Sequence, residues 1–227
     1  MDIQLHYTER GTGSPLILLH GNGEDGSYFV HQIEYFSKSR RVIAVDTRGH
    51  GQSPRGDAPF TIRRFAEDLR AFMDGMAIEK ADILGFSDGG NIALIFTLRY
   101  PERVDKLILN GANLKGSGVK FHIQFPIVLG YKLASLFARK SPEARKNAEM
   151  LGLMVNDPDI DVNELSRITA KTLVIAGTKD MIKESHTKMI AQHIPGAKLT
   201  LLPGDHFIAN RSPEAFNRAV AEFLHNE

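Results

Sequence analysis

Short runs of β-favouring residues alternate along this chain with stretches of helical spacing, and that alternation leaves few architectures open. Strands separated by helices do not pair as hairpins; they align parallel in one sheet whose two faces the helices cover. Residues 16–19 and 42–45 are continuous apolar runs, as an interior strand buried on both faces requires. Residues 3–7 alternate apolar and polar, as an edge strand with one solvated side does. Further apolar runs at 83–84, 107–109, 173–175 and 199–202 complete the expected sheet. Between the strands, residues 62–76 carry Ile62, Phe65, Ala66, Leu69, Phe72 and Met73 at helical spacing. Residues 91–100 read as a buried helix that stops before Pro101, and Ser212-Pro213-Glu214 opens a surface helix with a cap, a proline at its first position and an acid near its positive end.

The alternation lapses between about Gly111 and Thr169, where Phe121–Phe137 and residues 142–155 look helical with no strand between them. An insertion at the strand ends of an α/β sheet lies where such folds place their ligands, so residues 112–168 are expected to form a small helical cap. The 227 residues are then one domain, 1–227, with that cap as its only excursion. Phe121, Phe125, Leu129 and Phe137 would, if exposed, supply the surface of a homodimer.

Bulk properties narrow the function classes. Hydrophobic residues make up 42% and charged residues 24%, and 28 basic residues balance 27 acidic ones for a net charge of +1. With those charges read as interspersed, no nucleic-acid partner is expected, and the ordinary proportion of apolar to charged residues gives no sign of a membrane partner. There is no cysteine, which removes thiolate metal sites and a cysteine nucleophile. No signal-peptide pattern opens the chain and no apolar run reaches membrane-spanning length, so a cytoplasmic location is the expectation.

Chemistry concentrates at four places. Gly85-Phe86-Ser87-Asp88-Gly89 sets G-x-S-x-G between a strand and a helix, a turn that strains the serine and holds its hydroxyl above the sheet. A serine hydroxyl needs a base, and of the 9 histidines only His206, in Pro203-Gly204-Asp205-His206-Phe207, follows the last strand onto a loop on the same side. A carboxylate must orient that imidazole. Asp180, at the end of Ile175-Ala176-Gly177-Thr178-Lys179-Asp180, is favoured over Asp205, whose side chain would have to turn back onto its own neighbour. Leu19-His20-Gly21-Asn22-Gly23 ends an early strand, and the backbone N–H groups of Asn22 and Asp88 are the expected donors to an oxyanion. Neither a metal nor a cofactor is called for.

Taken together these motifs resemble the α/β-hydrolase superfamily, and the similarity spans nearly the whole chain. It includes Asp46-Thr47-Arg48-Gly49-His50-Gly51-Gln52-Ser53, which is similar to that superfamily's D-x-R-G-x-G-x-S loop; here Asp46 and Arg48 are expected to fix the loop by local hydrogen bonds. The resemblance implies an α/β-hydrolase fold and hydrolysis of a small-molecule ester by Ser87, His206 and Asp180. Gly85-Phe86-Ser87-Asp88-Gly89-Gly90 with Asn110-Gly111-Ala112-Asn113 further resembles the biphenyl hydrolase-like valacyclovirases, which act on α-amino acid esters. In that comparison Asp88 would pair with a substrate ammonium, while its alternative role is to cap the following helix. An enol-lactonase, a carbon–carbon bond hydrolase, and a non-catalytic ligand receptor on the same scaffold stand as the other readings.

Overall fold

The computed structural model describes residues 2–225. Seven strands, β1 (Tyr7–Arg10), β2 (Pro15–Leu19), β3 (Arg41–Val45), β4 (Ala81–Phe86), β5 (Val104–Asn110), β6 (Lys171–Gly177) and β7 (Lys198–Leu202), form one sheet in the order β1-β3-β2-β4-β5-β6-β7. Only β1 runs antiparallel, against β3; the other pairings are all parallel.

The apolar runs bury alternate side chains on opposite faces, because successive residues of a strand point to opposite sides. Ile17, Leu19, Ile83, Leu107 and Leu109 enter a core closed by α2 (Ile62–Gly75) and α3 (Asp88–Arg99). On the other face Leu16, Leu18, Leu84 and Ile108 meet Phe36 of α1 (Val30–Phe36) and residues of the C-terminal helix.

Between β5 and β6 the chain contains no strand. It runs instead through α4 (Phe121–Phe137) and α5 (Pro142–Asn156), which pack on each other, before α6 (Glu184–His193), the short α7 (Ile208–Arg211) and α8 (Pro213–His225) resume the alternation. Several ties fasten α5: Gln124 Nε2 of α4 donates to Met154 O at 3.0 Å, Asn156 Nδ2 donates to the Tyr131 hydroxyl of α4 at 3.0 Å, Arg55 forms a two-pronged ion pair with Glu149 at 2.6 and 2.8 Å, and Asn22 Nδ2 donates to Met150 O at 2.7 Å.

One expected strand is displaced. Ile3 and Leu5 are buried as their alternation requires, yet the ladder begins at Tyr7 rather than Ile3. The reason lies in the backbone: His6 N–H donates to Ser53 Oγ at 2.8 Å instead of to a strand, and only from Tyr7, opposite Val45, does regular pairing begin. The loop after β3 is also held by more than local bonds. Asp46 accepts from the backbone N–H of Gly26 (2.8 Å) and Gln52 (2.9 Å), while the fully buried Arg48 reaches Asp68 of α2 at 2.6 and 2.8 Å and Asp2 at 2.6 and 2.9 Å.

Strand order reverses direction at β2, with β3 on one side and β4 on the other, and the crevice beyond the carboxyl ends of those two strands is where α/β sheets collect ligands. The chain leaves β2 into His20-Gly21-Asn22 and leaves β4 into Ser87.

Candidate active site

Ser87 occupies a conformation that few residues adopt, with φ 52° and ψ −119°. Such a backbone costs on the order of 1–3 kcal/mol and persists only where its surroundings impose it. Here Ser87 N–H donates to Asn110 O at 2.8 Å, and Asn91 N–H donates to Ser87 O at 3.1 Å, so strand β5 and the first turn of α3 grip it from both sides. The flanking glycines let three backbone segments touch. A Cβ on Gly85 would stand 2.3 Å from Gly89 O, and one on Gly89 would stand 2.0 Å from Leu19 O.

Three separate segments then converge. His206 Nε2 lies 3.0 Å from Ser87 Oγ, and His206 Nδ1 lies 2.7 Å from Asp180 Oδ1. The buried Asp180 carboxylate can only accept, so Nδ1 carries the proton and Nε2 is left free to accept from the serine hydroxyl. Asp180 is itself fixed, its Oδ1 taking a further bond from Ile182 N–H at 2.8 Å. The imidazole is packed against Phe86, with ring centroids 4.8 Å apart, and against Phe207 at 5.6 Å. Asp205, the alternative acid, is turned away: its Oδ1 accepts from Phe207 N–H at 2.9 Å and its Oδ2 pairs with Arg211.

The loop after β2 is locked by His20. Its Nδ1–H donates to Gly21 O at 2.7 Å and its Nε2 accepts from Thr47 N–H at 3.0 Å, a pattern that requires the neutral ring; burial pushes its pKa down to about 4. Asn22 follows directly, so the bond from its side chain to Met150 ties the same residue to α5. Asp88 opens α3, where the first backbone N–H groups of a helix have no acceptor within the helix and remain available to a ligand.

The Asp88 side chain is buried and only partly satisfied. Oδ1 accepts from Asn91 Nδ2 at 3.2 Å, Asn91 in turn bonds Asn113, and Oδ2 has no partner among the described residues. Burial, with the Asp157 carboxylate adding repulsion, raises its pKa to about 6. The pKa of Asp157 is raised as well, again chiefly by burial.

Sequence reasoning passes over several groups in this region. Glu24 is half-buried, accepts from Gly21 N–H at 3.1 Å, interacts electrostatically with His206, and has its pKa raised by burial to about 7. The Tyr28 ring stacks on Phe86 at 4.4 Å with its hydroxyl buried and unpartnered among the described residues. Gly111, in the left-handed region at φ 64°, presents only hydrogen to His206: a Cβ there would lie 2.7 Å from Cε1 and 2.9 Å from Nδ1. Of these only Gly111 carried a signal, as part of the Asn110-Gly111-Ala112-Asn113 run. Glu24, Tyr28 and Asp157 become neighbours of the site only when the chain folds.

A switched parallel sheet that lifts a strained serine towards a histidine–carboxylate pair defines the class of α/β-fold hydrolases. Residues 14–136 match the family model described as alpha/beta hydrolase fold, and the chain belongs to that superfamily. It is 30% identical to the mouse (Mus musculus) serine hydrolase BPHL, over 98% of this chain and 83% of that protein. It is 31% identical to a 2-hydroxymuconate semialdehyde hydrolase of Pseudomonas putida, over 95% of this chain and 89% of that one. Among solved structures, a hydrolase from Pseudomonas aeruginosa PA01 superposes with a TM-score of 0.80 at 28% identity, covering 99% of this chain and 95% of that one. The chain is accordingly a hydrolase.

Proposed function

We propose that this protein cleaves small carboxylic esters through an acyl-enzyme on Ser87, with His206 as base, Asp180 as its orienting acid, and α4 and α5 as a cap over the site. The observation that carries this reading is the unbroken line from Ser87 Oγ to His206 Nε2 at 3.0 Å and from His206 Nδ1 to Asp180 Oδ1 at 2.7 Å. As Oγ attacks the ester carbonyl, its proton passes to Nε2 and the imidazolium is balanced by Asp180. The carbonyl oxygen becomes an oxyanion, for which the backbone N–H groups of Asn22 and Asp88 are the donors. Collapse expels the alcohol, which takes the proton from Nε2. Water then attacks the acyl-serine with His206 again as base, releasing the acid and restoring the serine.

The test is turnover of a p-nitrophenyl ester together with labelling by a fluorophosphonate. Ser87→Ala should remove the label and lower kcat by roughly 10⁴-fold or more. Substantial residual turnover by the folded variant would take Ser87 out of the mechanism, and an unlabelled wild-type protein would favour the receptor reading.

A second reading, hydrolysis of α-amino acid esters, draws on the unpartnered, buried Asp88 Oδ2 and on the second carboxylate, Asp157, within electrostatic range of it. A substrate ammonium would relieve both the missing partner and the repulsion. A valine ester should then outpace its des-amino counterpart, and Asp88→Asn should erase the difference. Equal rates for the two esters would dismiss the ammonium contact.

A further inference from the structure

The net charge of +1 conceals a segregation. Between Lys115 and Lys146 there are seven basic residues and one acidic residue, a net of +6, which leaves −5 for the rest of the chain. The same segment contains α4, and α4 exposes an apolar stripe in which Lys132 is the one charged side chain. Phe121, Phe125, Leu129 and Leu133 recur every fourth residue, Leu136 and Phe137 extend the row, and these six are 50–75% exposed. Side chains four apart lie on one face of a helix, so this stripe runs its full length of about 25 Å. Its apolar area is on the order of 600 Å², at the upper end of what a typical monomer leaves bare.

Cations bracket the stripe. Lys120 precedes α4, Arg139 and Lys140 follow it, Lys132 lies within it, and Arg145 and Lys146 sit on the first turns of α5. Among the described residues none of these six has an ion-pair partner; Lys115 is paired, with Asp159.

We propose that α4 and its cationic flanks form a docking surface for an anionic lipid bilayer, on which the helix lies in the plane of the headgroups with its phenylalanines and leucines inserted. Exposed phenylalanine and leucine beside lysine and arginine suit a bilayer interface, where apolar side chains enter the acyl boundary and the cations meet lipid phosphates. Insertion is partial, not spanning, since no helix of the described residues is long and apolar enough to cross a membrane. Covering the stripe with a second copy would bring two +6 segments together, whereas an anionic surface neutralises the charge. The near-neutral whole-chain charge is thus an average over two regions of opposite sign.

The experiment is co-sedimentation of the purified full chain with vesicles of phosphatidylcholine alone and of phosphatidylcholine containing one third phosphatidylglycerol. Binding should be at least about tenfold tighter to the anionic vesicles and should weaken steeply as salt is raised. Phe125→Ser with Leu136→Ser should lower partitioning by on the order of a hundredfold, and Arg139→Gln with Lys140→Gln by about fivefold per charge removed. These side chains are exposed, so both double variants should keep the wild-type circular dichroism and unfolding midpoint. The proposal fails if the anionic vesicles bring down no protein, or if folded variants partition like the wild type. It fails equally if the wild type forms a concentration-dependent dimer that Phe125→Ser with Leu136→Ser abolishes, a result that would give the stripe to self-association.

Discussion

Gly111→Ala should cripple turnover while leaving the protein folded. Gly111 directly follows β5, is held by a bond from its N–H to Ile175 O at 3.2 Å, and sits at φ 64°. The new methyl would lie 2.7 Å from His206 Cε1, 2.9 Å from Nδ1 and 3.4 Å from Asp180 Oδ2. Ordinary carbon contacts begin near 3.5 Å, so the imidazole must retreat by roughly 0.7 Å or more. Phe86 and Phe207 confine it, and a retreat of that size would stretch the 3.0 Å bond to Ser87 to the limit of hydrogen bonding. Misplacing a catalytic group by such a distance costs about 10²-fold in rate. The left-handed backbone adds a penalty of roughly 1–2 kcal/mol to stability. Gly196→Ala provides the control, since Gly196 has nearly the same φ of 70° but open space where its Cβ would be. Gly196→Ala should lose only the backbone penalty in urea unfolding, Gly111→Ala should lose that and about 1–3 kcal/mol more from the displaced imidazole, and only Gly111→Ala should lose kcat on a p-nitrophenyl ester. A folded Gly111→Ala enzyme within about threefold of wild-type kcat would refute the pinned imidazole.

Two further outcomes follow from the structure. Arg48→Ala should destabilise the fold by about 3–5 kcal/mol in urea unfolding, because it strips Asp68 of its buried guanidinium partner. Arg48→Lys should recover little, since an ammonium cannot reproduce a two-pronged pair; full stability in either variant would contradict that role. Glu24 has a folded pKa of about 7 against 4.5 for the free side chain, so the unfolded chain loses its proton first as pH rises. Its effect on stability is therefore absent below about pH 4.5, grows unfavourable between about 4.5 and 7, and levels off above; the full shift corresponds to about 3 kcal/mol, which solvent screening of the half-buried side chain reduces to about 2 kcal/mol or less. Glu24→Gln should accordingly gain stability relative to wild type at about pH 8 and not at about pH 4, and an equal difference at both pH values would show that Glu24 ionises normally.

Much of the site could be read from residues close together in the chain. Gly85 and Gly89 around Ser87 signal a turn in which side chains have no room, and the contacts at 2.3 and 2.0 Å are the physical form of that signal. The limits of α4 were likewise legible, because the stretch is helical in spacing from Phe121 to Phe137 and bounded by loop residues. The first strand shows where such reading stops. Burial of Ile3 and Leu5 followed from alternation, but the partner of the His6 backbone N–H is the side-chain hydroxyl of Ser53, which stands 47 residues away.

By itself the sequence determined the alternating elements, the strained serine, and the order in which Ser87, Asp180 and His206 emerge, because periodicity and turn chemistry act over a few residues. The tertiary structure alone decided which groups press on those three. Gly111 lies under the imidazole, Asn22 is tied to Met150 across 128 positions, Asp157 comes within range of Asp88, and the α4 stripe is left facing outward. Such contacts depend on the packing of distant segments, and a carboxylate's pKa or a leucine's exposure is set by what surrounds it in space, which no local pattern records.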